Sequence, residues 1–283
     1  MRILIIQENG RHEKNRNFRE CFSMQRALES FDVDVDVWGI GHLNYDEGVE
    51  FDSYDLIVNL ENYDETGWVP DLSKTRTKKF IWSIDAHTRG MDVYYQEYER
   101  GNYDLILQAT KDYVEDDRSL WFPNCYDDDL IYPANVEKKY FIGFCGSVLN
   151  RKQMLDNLTE KYGLNQDIFV IGEDMVEAIS SYNIHFNMNL ANDINYRNFE
   201  TLGCGTVLLT NENPQYEELG FVDEKNCLIY NSYESLCEKL EMCMDDPEIM
   251  ADLIINGYEL ADKHTYHRRA EVLIDRYERM GIK

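Results

Sequence analysis

Residues 192–219, NDINYRNFETLGCGTVLLTNENPQYEEL, read as a short polar helix, a Gly-x-Gly break at 203–205, a buried strand and a second helix opening at Pro214. Helix, tight turn and apolar strand in such quick succession are the pattern of βαβ units around a parallel sheet. Arg197 and Glu200 stand three apart in the first helix and share a face. A cation and a carboxylate at the mouth of a strand–helix unit suit a nucleoside diphosphate and its ribose. The plain alternative is an exposed i,i+3 ion pair worth about 0.2–0.5 kcal/mol. Asn192, Asp193 and Asn195 crowd the turn just ahead, more polar groups than a surface helix requires.

The same alternation extends in both directions. Upstream, RILIIQ (2–7), VDVDVW (33–38), DLIVNL (55–60), KFIWSI (79–84) and DLILQA (104–109) are strand candidates, with a helical rhythm over 16–31. Strict alternation at 33–38 marks an edge or half-buried strand. A linker is expected within 123–140, which holds two of the five prolines and the acidic run Asp127–Asp128–Asp129. That run reads as a solvated turn, since no further ligand cluster accompanies it. Then come strands at 140–147, 167–172, 184–190, 206–210 and 227–230. Helices are expected over 150–162, 173–182, 232–245, 247–262 and 265–280. The fold class expected is α/β, two Rossmann-like domains with parallel sheets facing a central cleft. The boundaries expected are 1–133, 134–264 and a C-terminal helix over 265–283 crossing back to the first domain. In such sheets the residues after a strand's carboxyl end line the ligand crevice.

Composition narrows the function classes. At 283 residues, 43% hydrophobic and 13% aromatic, the chain is globular and long enough for two cores. A net charge of -26 repels nucleic acid and anionic membrane in general, so a polyanion must meet a local basic patch. Seven cysteines without a C-x-x-C pair read as buried reduced thiols of a cytoplasmic protein. MRILIIQENG does not read as a signal peptide, and no apolar run reaches a membrane span. No P-loop, zinc spacing, HExxH or serine elbow occurs.

Candidate residues follow from strand position. The segment after 2–7, ENGRHEKNRNFRE, places Gly10, Arg11, Lys14 and Arg16 where they form either a solvated helix start or a cationic rim for an anionic acceptor. After 79–84 come Asp85, His87 and Arg89. A histidine just beyond a buried strand is reachable by a substrate, and a neighbouring aspartate can orient its ring or act as base. KTRTKK (74–79) precedes its strand and falls on the far side. In CGSVLNRK (145–152), Gly146 and Ser147 lead into a helix start whose N–H groups suit phosphate, with Arg151 adding a forked cation. The G-x-G-x-x-G spacing of a dinucleotide site is absent.

On these residues the chain resembles the group-1 glycosyltransferases, in particular the compact CgeB-type branch related to spore maturation. Arg197-Asn198-Phe199-Glu200 and Gly203-Cys204-Gly205-Thr206 match that branch. So do FIGFCGS (141–147), WSIDAH (82–87), LILQATKDYV (105–114) and the closing NGYELADKHTYHRRAEVL (256–273). The resemblance implies a GT-B fold, a nucleotide-sugar donor (a UDP-sugar foremost) held by the C-terminal domain, an acceptor site on the N-terminal domain, and neither a cofactor nor a metal. Carried over by position, Glu200 looks like the ribose carboxylate, Arg151 and Arg197 like diphosphate contacts, and His87 like the histidine that reaches the sugar. Gly146, Ser147, Asn192 and Phe199 complete the donor set. The family has a glutamate eight positions before the ribose glutamate, where this chain has Asn192. The reaction implied is sugar transfer to an acceptor hydroxyl by a hexosyl- or pentosyltransferase, with retention expected. The Asp/Asn/Tyr-rich, Pro-poor composition resembles that of tailed-phage proteins, whose enzymes of this fold often glycosylate hydroxymethylated DNA bases. Such a base is the first acceptor expected. A surface glycan or protein acceptor, or a non-catalytic nucleotide-sugar binding module, are the alternatives.

Overall fold

Ile3–Ile6 are completely buried, as a run of branched apolar residues must be when helices cover both faces of a parallel sheet. The computed structural model describes residues 1–10, 12–60 and 67–281. Its strands are β1 (Arg2–Ile6), β2 (Asp34–Trp38), β3 (Leu56–Leu60), β4 (Lys78–Ser83), β5 (Leu105–Gln108), β6 (Ser119–Trp121), β7 (Tyr140–Gly146), β8 (Asn165–Ile168), β9 (Tyr182–Phe186), β10 (Val207–Asn211) and β11 (Leu228–Tyr230). Its helices are α1 (Glu20–Glu29), α2 (Ala86–Arg89), α3 (Met91–Gly101), α4 (Lys152–Tyr162), α5 (Glu173–Ser180), α6 (Tyr196–Gly203), α7 (Tyr216–Leu219), α8 (Tyr233–Asp245), α9 (Ile249–Ala261) and α10 (Tyr266–Gly281).

The chain forms two units, Met1–Asn124 with Tyr266–Lys283, and Cys125–Thr265. Unit 1 is a parallel sheet in the order β2-β1-β3-β4-β5-β6. Strand β2 alternates because it is an edge: Val35 and Val37 face inward while Asp34 is exposed. Helix α10 packs on α1, with Ala270 and Leu273 fully buried, and Arg269 donates to the Pro123 carbonyl at 2.7 Å. Unit 2 is a parallel sheet in the order β11-β10-β9-β7-β8, over a core that includes Ile142, Ile184, Phe186, Leu209, Leu236 and Leu240. Both orders reverse direction beside their first strand, β1 against β3 and β7 against β9. Parallel α/β sheets bind ligands outside the carboxyl ends at such a switch point.

The Gly-x-Gly break has two separate causes. A Cβ on Gly203 would lie 2.4 Å from the Tyr126 ring, whereas Gly205 turns the chain at φ 63°. Several boundaries differ from the sequence reading. The helical rhythm at 16–31 divides into a 3-10 turn over Glu13–Phe18 and α1, because Arg19 between them is extended. The strand expected at 167–172 is β8, displaced toward the N-terminus. Phe169 leaves it in the left-handed region at φ 57° and is 75% exposed, so the run Phe169–Val170–Ile171 is a turn. Strand β9 ends at Phe186, and the residues beyond it build a polar loop. Edge strand β6 carries only three residues and left no periodicity to read. The Asp127–Asp129 run is a turn in which the Asp127 carboxylate accepts from the Asp129 N–H at 3.1 Å.

Candidate functional site

The switch point of unit 2 is bridged by one side chain. Strand β7 ends at Gly146, and a 3-10 turn over Leu149–Arg151 leads into α4. From that turn Arg151 reaches across to the loop after β9. Its Nε and Nη2 donate to the Met188 carbonyl at 2.9 and 2.7 Å, and Nη1 donates to the Ser147 carbonyl at 3.3 Å. Both acceptors are carbonyl oxygens, so the charge has no carboxylate bonded to it. Burial pulls the guanidinium below its ordinary value, partly offset by the Tyr230 phenol and Asp193. Ser147 Oγ beside it is buried with no hydrogen-bond partner. A half-buried cation and an unused hydroxyl at the head of a strand–helix connection form a corner suited to an anion.

Arg197 is placed differently. It sits on α6, donates from Nε to the Cys145 carbonyl at 3.1 Å, and is ion-paired through Nη1 with Glu200 Oε2. The side chains of Arg197 and Glu200 are only 23% and 14% exposed, so the pair is not an ordinary surface i,i+3 bridge. It pins α6 against the end of β7. Phe199 is wholly buried against Phe221 and His264, so its side chain belongs to the core, and the donor contact expected of it is not one its ring can make. Asn192 is half-buried in the turn after Ala191, which has φ 52°, and its carbonyl accepts from Asn213 Nδ2 at 3.1 Å.

Two buried polar systems that the sequence reading did not single out support this corner. His185 Nε2 accepts from the Cys145 N–H at 3.1 Å, and its Nδ1 lies 2.6 Å from Thr201 Oγ1. The first bond requires an unprotonated Nε2, which leaves the proton on Nδ1. Burial, reinforced by the Arg197 charge, pushes His185 down to about 3, so it is neutral. Beneath the loop after β9, Asn198 donates to Asn189 Oδ1 at 2.7 Å, Asn189 donates to the Tyr216 hydroxyl at 2.7 Å, and that hydroxyl donates to Asn198 Oδ1 at 2.9 Å. Thr210 Oγ1 joins the Tyr216 hydroxyl at 2.9 Å. Such a closed network fixes a loop that has no regular structure of its own.

The candidates of unit 1 lie at the carboxyl edge of its sheet. Asp85 is the residue before α2, and His87 and Arg89 lie on that short helix, both half-buried. Arg89 lies 5.7 Å over the Tyr94 ring and lines a cavity of about 300 Å3 with Asn59, Tyr94 and Arg100. Gly10 is buried against the Arg19 side chain, which is ion-paired with Glu8 at 2.8 Å and Glu20 at 3.5 Å. Lys14 and Arg16 are exposed on the 3-10 turn, and Arg11 lies outside the described residues. The rim is thus less basic than its sequence, because Arg19 is spent on two carboxylates. The seven cysteines are buried and free, and burial pushes Cys145 up to about 11 and Cys21 up to about 12, so neither offers a thiolate. Among the described residues no cluster of His, Cys, Asp or Glu could hold a metal, and no helix is long and apolar enough to cross a membrane.

Two parallel-sheet α/β domains of this kind are the GT-B fold. Residues 151–275 match the model of the glycosyl transferase-like family, a span from Arg151 to the middle of α10. A DNA-modifying β-glucosyltransferase, solved with and without uridine diphosphoglucose, is similar with TM-score 0.71 and 12% identity, over 98% of this chain and 100% of the other. The sucrose-phosphate synthase of Thermosynechococcus elongatus is similar with TM-score 0.67 and 12% identity, over 99% and 98%. An α-glucosyltransferase in complex with UDP-glucose and DNA containing an abasic site gives 0.66 and 11%, over 94% and 96%. No curated protein matches the chain.

Proposed function

We propose that this protein is a metal-independent glycosyltransferase that moves a sugar, with retention, from a nucleoside diphosphate, UDP foremost, to an acceptor hydroxyl. The observation that carries the reading is Arg151, a half-buried guanidinium bonded only to carbonyls at the switch point of unit 2. The glycosyl transferase-like match over 151–275 supports it. In the reaction the acceptor oxygen bonds to the anomeric carbon, the bond from that carbon to the β-phosphate oxygen breaks, and the acceptor's proton passes to a base. Negative charge grows on the departing diphosphate, and its stabilisation is assigned to Arg151, the Ser147 hydroxyl and the N–H groups after Gly146. Glu200 keeps Oε1 for the ribose hydroxyls while Oε2 holds Arg197. Arg197 supports the corner from α6. His87 and Asp85 are assigned to the acceptor proton, and Gly10, Arg11, Lys14, Arg16 and Arg89 to acceptor contacts.

The first acceptor is a hydroxymethylated pyrimidine base in DNA, in keeping with the DNA-bound α-glucosyltransferase among the similar structures. Such a base must leave the helix to be reached. The net charge of -26 favours a glycan or protein hydroxyl as the second reading. The test is transfer from labelled UDP-sugars to hydroxymethylcytosine DNA and to a glycan pool. Label in DNA establishes the first reading, and label only in glycan the second. No donor turnover with any acceptor, together with nucleotide binding, would leave a binding module.

A further inference from the structure

Strands β7 and β9 part at the switch point of unit 2. Their pairing ends with Gly143 opposite His185, while β7 runs on beside β8 as far as Gly146 opposite Ile168. The imidazole of His185 spans the fork. Its Nε2 takes the Cys145 N–H at 3.1 Å, where a further backbone rung would otherwise be needed, and its ring stacks on Tyr182 at 5.9 Å. On the other side Nδ1–H donates to Thr201 Oγ1 at 2.6 Å. The Thr201 hydroxyl donates in turn to the Arg197 carbonyl, one turn back on α6. Arg197 Nε then returns to the Cys145 carbonyl at 3.1 Å. Cys145, His185, Thr201 and Arg197 thus close a ring of hydrogen bonds that ties β7, β9 and α6 together.

The ring works in one protonation state. An imidazolium would offer two donors and no acceptor, and the Cys145 N–H would lose its partner. Burial and the Arg197 charge keep His185 neutral, so the ring is held. His185 and Thr201 are both completely buried, so neither touches a ligand. What they hold is the approach to Gly146 and Ser147 on one side and the α6 face that carries Arg197 and Glu200 on the other. A leucine would fill the same space. Directional bonds are needed where a binding group must stand within a fraction of an ångström of its place.

We propose that His185 is a positioning residue for donor binding, which through Thr201 and Arg197 sets where Glu200 Oε1 stands relative to the corner after Gly146. The assignment rests on the glycosyltransferase reading. The experiment is calorimetric titration of UDP into the wild type, His185→Leu, His185→Gln, Thr201→Val and the double variant His185→Leu with Thr201→Val. Stoichiometry reports the folded fraction and Kd reports the geometry, so a side chain that only filled space would change the first and leave the second. His185→Leu and Thr201→Val should each weaken UDP by about tenfold or more, the scale of a misplaced binding group. The double variant should be no weaker than about threefold beyond either single one, because the two residues act as one chain. His185→Gln, whose amide supplies one acceptor and one donor, should stay within about threefold of wild type. Wild-type Kd in Thr201→Val, or in the folded fraction of His185→Leu, would overturn the assignment and spare the glycosyltransferase reading. A Gln variant as weak as the Leu variant would overturn it too. Failure of the wild type to bind UDP would remove the donor reading and this assignment together.

Discussion

Arg197 has a carboxylate partner in Glu200, whereas Arg151 has only the carbonyls of Met188 and Ser147. A cation bonded to no carboxylate gains most from an incoming diphosphate, so the two arginines should respond differently to substitution. Arg151→Ala should lower kcat/KM by about 10²–10³-fold, the scale of a lost transition-state donor, and Arg151→Lys should recover only part because the fork is gone. Arg197→Ala should instead lower the melting temperature, since it strands Glu200 and the Cys145 carbonyl. Steady-state kinetics and thermal melts on the three variants separate these outcomes. His185 makes a second prediction at this scale. It is neutral when folded, with its value pushed down to about 3, while an unfolded histidine titrates near 6.5. The unfolded chain therefore takes up the proton first, and stability falls as pH drops below 6.5, by at most about 1.4 kcal/mol per unit. Urea unfolding between pH 7 and pH 5 should show this slope in wild type and a shallower one in His185→Gln.

Among the elements, the α6–β10 connection is the most constrained. Gly203→Ala drives a Cβ into the Tyr126 ring and should cost about 1–3 kcal/mol in denaturant unfolding, with UDP affinity little changed in the folded fraction. This connection was legible from sequence because its causes are local: an apolar strand after two glycines. The buried strands of both sheets were legible for the same reason. Strand β8 was misplaced because Phe169–Val170–Ile171 has a strand's composition, and only a left-handed Phe169 reveals the turn. The candidate site divides along the same line. Arg151 and Glu200 could be marked by their place after strands and on a helix face. Phe199 could not be sorted correctly, since burial against Phe221 and His264 depends on segments far along the chain. His185 and the Asn189–Asn198–Tyr216 network were invisible for that reason too, although a lone histidine among apolar residues of a strand is a usable signal.

At the scale of the whole molecule, charge and connectivity set the expectations. With 54 acidic against 28 basic residues, any productive DNA encounter must occur against the general field. Raising salt from low to physiological strength screens that repulsion and should therefore raise the rate of transfer to DNA, the opposite of a basic enzyme's response. Rates measured across a salt series test this. Connectivity makes α10 part of unit 1, tied down by Arg269 at the Pro123 and Asn124 carbonyls. Truncation after Thr265 should expose the α1 face that α10 covers and destabilise unit 1 selectively, read as loss of amide-exchange protection in β1 and α1 with unit 2 unchanged.

The two crossings of the chain also fix an order of events during synthesis. Unit 2 is an insertion, and its ends meet where the Tyr126 N–H donates to the His264 carbonyl at 3.1 Å. All of its residues have left the ribosome once Thr265 emerges. Unit 1 begins 124 residues earlier, yet lacks its last helix until residues 266–281 follow. The domain whose translation starts second is the one that can finish folding first, and the older sheet must hold its uncovered α1 face until residues 266–281 have been made.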